Sequence, residues 1–254
     1  MGKIIAKYLD KLDDPIFDSS FEIYKPSNKT LPYINQIKSL KTVNKSSVIH
    51  KNFLVNKDKN IEIYYAPFDY LNSDAKIMIV GITPGFQQML QSFQVINDGK
   101  SLKEVKDLSS FKGSMRTSLV KYLDELKVNK KLKIKSCESL FNKDSKHLHT
   151  TSLVKYPVFD KGKNYAGANI LKKKILSDFI EQNFLKELKT LKKAIIIPLG
   201  NTVSSTIEYL NNKYDLKLKC FLIGFPHPSG ANARKNIQFK EHKSSMMKLL
   251  KSNN

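Results

Sequence analysis

Residues 76–86, Lys-Ile-Met-Ile-Val-Gly-Ile-Thr-Pro-Gly-Phe, constrain the fold more than any other part of the chain. Ile77, Met78, Ile79 and Val80 are four consecutive apolar residues, mostly β-branched, and read as a strand buried on both faces. The run stops at Gly81, which permits a sharp turn or a close backbone approach. Pro84 has a fixed φ and no N–H, so it suits the first turn of a helix. Residues 86–96 are rich in helix formers. The stretch is therefore strand, tight turn, helix N-terminus, the place in an open α/β sheet where phosphates and small polar groups bind.

The same alternation recurs along the chain. Residues 61–66 alternate and predict an edge strand, followed by Pro67-Phe68-Asp69 leading into the central strand. Short helical patterns cover 31–43, 101–107 and 115–126. The charge run at 130–135 reads as a solvated loop. Residues 147–157 predict a second sheet strand, whose His147 and His149 would share one face. They could form a zinc pair, but no third ligand stands nearby, so no metal site is assigned. A loop over 160–167, an amphipathic helix over 168–191 broken near Asn183, a third strand at 193–199 and a helix at 202–210 follow. A fourth strand is expected at 216–224, and a basic helix over 232–250 closes the chain. Strands alternating with helices predict an α/β fold: a three-layer α/β/α sandwich around a central, mostly parallel four-stranded sheet. Residues 1–60, with a short helix at 4–12 ended by Asp13-Asp14-Pro15, read as a basic decoration on a core of 61–250, all in one domain.

Charge points to the partner. Lys and Arg number 44 against 23 Asp and Glu, a net charge of +21, and such a balance favours a polyanionic partner such as a nucleic acid. Arg116 and Arg234 are the only arginines. Lysine supplies diffuse phosphate contact and little base readout. An AT-rich genome explains lysine over arginine but not lysine over glutamate. No apolar run approaches the roughly 20 residues of a membrane span, and the first ten residues lack a signal-peptide apolar region. Cys137 and Cys220 are too few for an iron–sulfur cluster or a cysteine-only zinc site. A reduced, cytoplasmic, monomeric protein without cofactor is the economical expectation.

Three strand ends carry polar turns: 81–85, 150–156 and 226–229. Thr83, Ser152, Asn201 and His227 are thereby candidates for one crevice. The motifs at these ends resemble the uracil-DNA glycosylase superfamily. Gly81-Ile82-Thr83-Pro84-Gly85 is similar to its Gly-x-Asn-Pro-Gly form, and His227-Pro228-Ser229 to its late His-Pro-Ser. Thr151-Ser152-Leu153-Val154-Lys155 resembles a Thr-Asn-Leu/Val-Val-Lys stretch, and Leu199-Gly200-Asn201 a Leu-Gly before a helix. A bacterial set of uncharacterised glycosylase-like proteins shares Tyr-Ala-Pro-Phe-Asp (65–69), Gly-Ile-Thr-Pro-Gly and His-Pro-Ser-Gly-Ala-Asn (227–232).

The resemblance implies hydrolysis of the N-glycosidic bond of a flipped-out base, leaving an abasic site. His227 would stabilise charge on the leaving base. Thr83 would hold the attacking water or merely cap the helix, and Asp69 is either its general base or a turn aspartate. Gly81, Pro84, Gly85, Phe86, Gln87, Ser152, Tyr156, Asn164 and Asn201 would line the substrate pocket, with Phe86 or Tyr156 stacking on the base and Gln88 near Gln87. Ser229, Gly230, Asn232, Arg234 and Lys235 would meet DNA. Thr83 and Ser152 stand where relatives carry asparagine, and no leucine wedge follows His-Pro-Ser. The smaller side chains suggest room for a bulky pyrimidine, a hydroxymethylated or glucosylated cytosine of viral DNA, and an antiviral role. The alternatives are plain uracil, a catalytically inactive DNA-binding protein, and a small nucleotide or phosphate binder.

Overall fold

The computed structural model describes residues 28–252. The helix expected at 4–12 and its stop at Asp13-Asp14-Pro15 lie outside the described residues. Helices α1 (Leu31–Lys38) and α2 (Lys45–Val48) precede strands β1 (Leu54–Asp58) and β2 (Ile61–Tyr64). Strand β3 (Ile77–Gly81) is followed by α3 (Phe86–Asn97), α4 (Leu102–Ser109), α5 (Ser114–Glu125) and α6 (Val128–Leu132). Next come β4 (Leu148–Ser152), β5 (Val158–Asp160) and β6 (Lys163–Asn164). Helices α7 (Lys174–Phe179) and α8 (Leu185–Thr190) are joined by a π-helical turn at Ile180–Phe184. Strand β7 (Ile195–Pro198), helix α9 (Asn201–Lys213), strand β8 (Cys220–Phe221) and helix α10 (Lys235–Ser252) complete the chain.

The central sheet has the order β4-β3-β7-β8 and is parallel throughout. Side chains of β3 alternate between its faces, as the period of two requires. Met78 and Val80 join the core under α3, α4 and α9, whereas Ile77 and Ile79 join the core under α5, α6 and α10. Helices therefore cover both faces, giving the three-layer α/β/α arrangement. All five residues of β3 are buried, which is why its sequence is continuously apolar. The register pairs Gly81 with Ser152 and Val80 with Pro198, so β3, β4 and β7 end together at one edge.

Several local expectations are corrected. Residues 61–64 do not form an edge strand of this sheet. They form β2, an inner strand of a second, antiparallel sheet ordered β1-β2-β5-β6. The 160–167 loop is the end of the β5–β6 hairpin. Part of the 130–135 charge run is helical within α6, and the fourth parallel strand shrinks to two paired residues, Cys220 and Phe221. The helix expected from 168 begins at Lys174, and near Asn183 it widens into the π turn, where the Asn183 amide donates to the Phe179 carbonyl at 2.9 Å. An inserted residue of this kind is how a helix absorbs a local mismatch.

Candidate active site

Two glycines set the geometry of the carboxyl edge. A Cβ on Gly81 would lie 3.3 Å from Ser152 Oγ and 3.4 Å from the Phe111 ring, so the bare backbone lets β3, β4 and that ring meet. Gly200 turns β7 into α9 at φ +88°, and a Cβ there would stand 3.2 Å from His227 Cβ. Between these two closures lies a crevice of about 410 Å³ lined by Gly81, Thr83, Gln88, Phe111, Asn201 and His227, among others. The edge thus brings together Gly81, Thr83, Asn201 and His227. Ser152, buried on β4, lines a smaller cavity behind Phe111.

His227 is half-buried and faces two crevices, the second of about 450 Å³ and lined also by Asn232, Arg234 and Glu241. The Ser229 backbone N–H donates to His227 Nδ1 at 3.4 Å. In the neutral ring that acceptor role places the proton on Nε2. Burial holds the His227 pKa below its ordinary value, so the neutral, Nε2-protonated ring is the form at neutral pH. The ring is a hydrogen-bond donor beside the crevice. Asn232 fastens its loop by donating to the His227 carbonyl at 3.1 Å, and Lys235 by donating to the Pro228 and Ser229 carbonyls at 3.1 and 3.3 Å. Gly230 and Arg234 are exposed. Lys235 and Asn232 therefore shape the loop, and the exposed Arg234 has its guanidinium in neither a hydrogen bond nor an ion pair among the described residues.

The other nominated residues lie elsewhere or are already engaged. The Thr83 hydroxyl donates to the Tyr156 carbonyl at 2.8 Å and accepts from Val158 N–H at 3.1 Å, tying the β3 turn to the chain entering β5. Asp69 is 6% exposed. Its carboxylate accepts from the Tyr65 and Tyr156 hydroxyls at 2.9 and 2.7 Å and pairs with Lys155 at 3.1 Å, and it lines neither crevice. The Tyr156 ring packs in the core against Tyr65 and Phe179. Phe86 is half-buried against the same core, its N–H donating to Asn164 Oδ1 at 3.0 Å. Gly85 N–H donates to Gln88 Oε1 at 3.1 Å, and the exposed Gln87 borders no crevice while its neighbour Gln88 does. Pro84 lines the small cavity.

Two aromatic residues line the crevice, Phe111 and Tyr165, neither of them nominated by the sequence reading, and Phe111 is the one beside Gly81. It has φ +52°, a conformation rare for a bulky residue and associated with functional turns. No periodicity marks it. The one available signal is its place in Ser109-Ser110-Phe111-Lys112-Gly113, a turn-rich stretch before α5.

Beneath the crevice lies a buried charged cluster. Lys106, 5% exposed, donates to the Thr150 carbonyl at 2.6 Å, and burial lowers its pKa to about 8. His149 is not paired with His147, which sits in a 3-10 turn before β4. Asn72 N–H donates to His149 Nδ1 at 3.4 Å, so Nε2 donates to Glu187 at 3.1 Å. Burial opposes the Glu187 charge, but the His149 hydrogen bond and the nearby lysines outweigh it and bring its pKa to about 2. Burial, first, and Lys106, second, hold the His149 pKa below its ordinary value. The unfolded chain therefore binds the His149 proton more readily. The stability from neutral His149 is full above about pH 6.5 and is lost as pH falls through the lower folded value. Urea midpoints across pH 7 to 5 should fall more steeply for the native chain than for His149→Gln, and parallel curves would refute this assignment. Among the described residues no group of three or more His, Cys, Asp or Glu gathers to hold a metal, and no helix is long and apolar enough to cross a membrane.

The chain is 34% identical over 223 residues to the Bacillus subtilis (strain 168) protein named "Uncharacterized protein YoxB", a match covering 83% of this chain and 87% of that protein. The model of the Uracil DNA glycosylase superfamily matches residues 68–251, which span β3, β4, β7 and both loops of the crevice. The chain belongs to the uracil-DNA glycosylase superfamily.

Proposed function

We propose that this protein is a monofunctional DNA glycosylase that hydrolyses the N-glycosidic bond of a flipped-out uracil or modified pyrimidine, acting as a cytoplasmic monomer. The observation that carries this reading is the pairing of a crevice floored by Gly81 and Phe111 with a neutral His227 that donates from Nε2. The base leaves the stack and lies against Phe111; such stacking is worth roughly 1–3 kcal/mol. As the glycosidic bond breaks, positive charge grows on the sugar and negative charge on the base. The His227 Nε2–H stabilises the anion without transferring a full charge. Water then adds to C1′ and loses its proton to solvent, because no carboxylate lines the first crevice. Glu241 lines the second crevice, which His227 also faces, and is the candidate acid on that side. Thr83 orders the turn through Tyr156 and Val158 and presents its remaining lone pair to the water.

Two finer readings follow from this geometry. The outer crevice is several times the size of a pyrimidine ring, which favours a substituted base such as the hydroxymethylated or glucosylated cytosine of viral DNA, and with it an antiviral role. The bound hydroxyl of Thr83 and the lack of a carboxylate among the described residues lining the first crevice favour instead an inactive DNA-binding protein. Matched duplexes containing uracil, hydroxymethylcytosine or glucosylated hydroxymethylcytosine decide among them, with released bases identified by mass spectrometry. Release of a modified base faster than uracil supports the first, and tight binding with no abasic site from any duplex supports the second.

Binding itself should be steeply salt-dependent, because each phosphate neutralised contributes about −0.9 to the slope of log K against log salt. Lys243 is a poor reporter, since it pairs with Glu125 at 2.8 Å. Arg234→Ala should reduce the slope by about 1, and an unchanged slope would place the DNA on another face.

A further inference from the structure

Next to the crevice, on the other side of Phe111 and Gln88, lies a cavity of about 20 Å³, room for one water-sized group rather than for a ring. Phe111 and Gln88 border both spaces. The inner cavity is lined by Lys106, Ser110, Thr151 and Ser152, with Lys155 at its side. Its polar groups are under-used. The Lys106 ammonium has three N–H donors and one acceptor among the described residues, the Thr150 carbonyl. Thr151 is 6% exposed, and its Oγ1 is buried without a hydrogen-bond partner. A buried ammonium and a buried hydroxyl left short of partners beside an empty space are costly unless something fills that space.

We propose that this inner cavity reads one exocyclic oxygen of the flipped base, with Lys106 and Thr151 as its donors. This inference rests on the glycosylase reading for its setting and deepens it by naming the substrate's edge. The ring stays in the outer crevice against Phe111, and only a substituent passes inward. All pyrimidines carry a C2 keto group beside the glycosidic bond, so the oxygen that distinguishes them lies on the opposite C4–C5 edge: the C4 keto group of uracil or the hydroxymethyl group of 5-hydroxymethylcytosine. Plain cytosine brings an amino group, whose N–H would face the N–H donors of Lys106. Lys106 keeps its charge at neutral pH, since its pKa lies near 8. Ser152, at the end of β4, is too short to fill the cavity, which is how Lys106 reaches it from α4. A glucosyl group exceeds the inner cavity and would occupy the outer crevice.

The test reads binding, so that it does not depend on catalysis. The 2′-deoxynucleosides of uracil, 5-hydroxymethylcytosine and cytosine, whose sugar keeps the C2 edge out of the cavity, are titrated into the full chain, and binding is read by ligand-observed NMR and by thermal shift. Uracil or hydroxymethylcytosine should bind at least about tenfold more tightly than cytosine, the scale of a hydrogen bond to a charged group. Lys106→Met should lose that preference. Thr151→Val is near-isosteric and removes only the unpartnered hydroxyl, so it should weaken the preference while leaving the melting temperature unchanged or higher. Should Lys106→Met fail to fold, Thr151→Val decides. Equal binding of all three bases, no binding of any, or an undiminished preference in the folded variants overturns the proposal. Whether uracil or hydroxymethylcytosine binds more tightly identifies the source of the oxygen. Oxygen-selective binding by the wild type without base release from any DNA would retain this cavity assignment and reject the glycosylase activity.

Discussion

His227→Ala is expected to slow base release by about 10²–10³-fold, the effect of removing one donor from a site of developing negative charge. DNA affinity should stay within a few-fold of the native value, because the loop keeps its other fastenings. Asn232 bonds the backbone carbonyl of residue 227, not its ring, and Lys235 holds the carbonyls of Pro228 and Ser229. His227→Gln is the informative companion. Its amide can donate from nearly the position of Nε2 without a proton to titrate, so it should recover part of the lost rate. The native protein should show no ionisation assignable to His227 above pH 6.5, since burial lowers that pKa. Single-turnover rates on whichever duplex the enzyme accepts would measure all three. A native rate in His227→Ala would remove this residue from the chemistry, and a rate loss matched by an equal loss of DNA affinity would recast it as a loop-shaping residue.

Much of this frame can be read from the chain. A continuously apolar run closed by Gly-Ile-Thr-Pro-Gly has few homes other than an inner parallel strand, and β3 occupies one. The alternation of strand and helix is enough for the three-layer architecture. The second sheet is less legible because its strands are short and β1 is mostly exposed, so no alternation announces it. The site divides in the same way. Gly81, Thr83, Asn201 and His227 are strand-end residues, and the topology alone gathers them. Asp69 and Tyr156 look available in sequence, but each is the other's partner across 87 positions, a pairing that no local pattern reveals. Phe111 is hidden because its left-handed backbone is imposed by its surroundings. Lys106 was legible in principle. It falls on the buried face of α4 with Leu102, Val105 and Ser109, and a lysine on that stripe is worth asking about. In a chain with 44 basic residues it passes as one more surface charge.

The second large effect concerns Asp69, and it is an effect on folding. The carboxylate accepts from the hydroxyls of Tyr65 and Tyr156 and pairs with Lys155. Burial and Asp69 together push the Tyr65 hydroxyl far above its ordinary pKa, so that phenol stays protonated and donates. Asp69→Ala removes the carboxylate partner of one ammonium and two phenols at once. Removing one partner of a buried pair costs about 3–5 kcal/mol, and Lys155 retains 18% side-chain exposure, which favours the lower end. A loss of about 3 kcal/mol is a large part of the 5–15 kcal/mol typical of a folded domain. Lys155→Met combined with Asp69→Ala should recover part of the loss, since it removes the stranded charge, and the coupling is read from a double-mutant cycle of urea unfolding. The folded fraction of Asp69→Asn should release base at nearly the native rate, because the carboxylate lines neither crevice. If Asp69→Asn instead unfolds like the native chain but loses its rate by orders of magnitude, the carboxylate reaches the water after all, and the buried cluster rearranges when DNA binds.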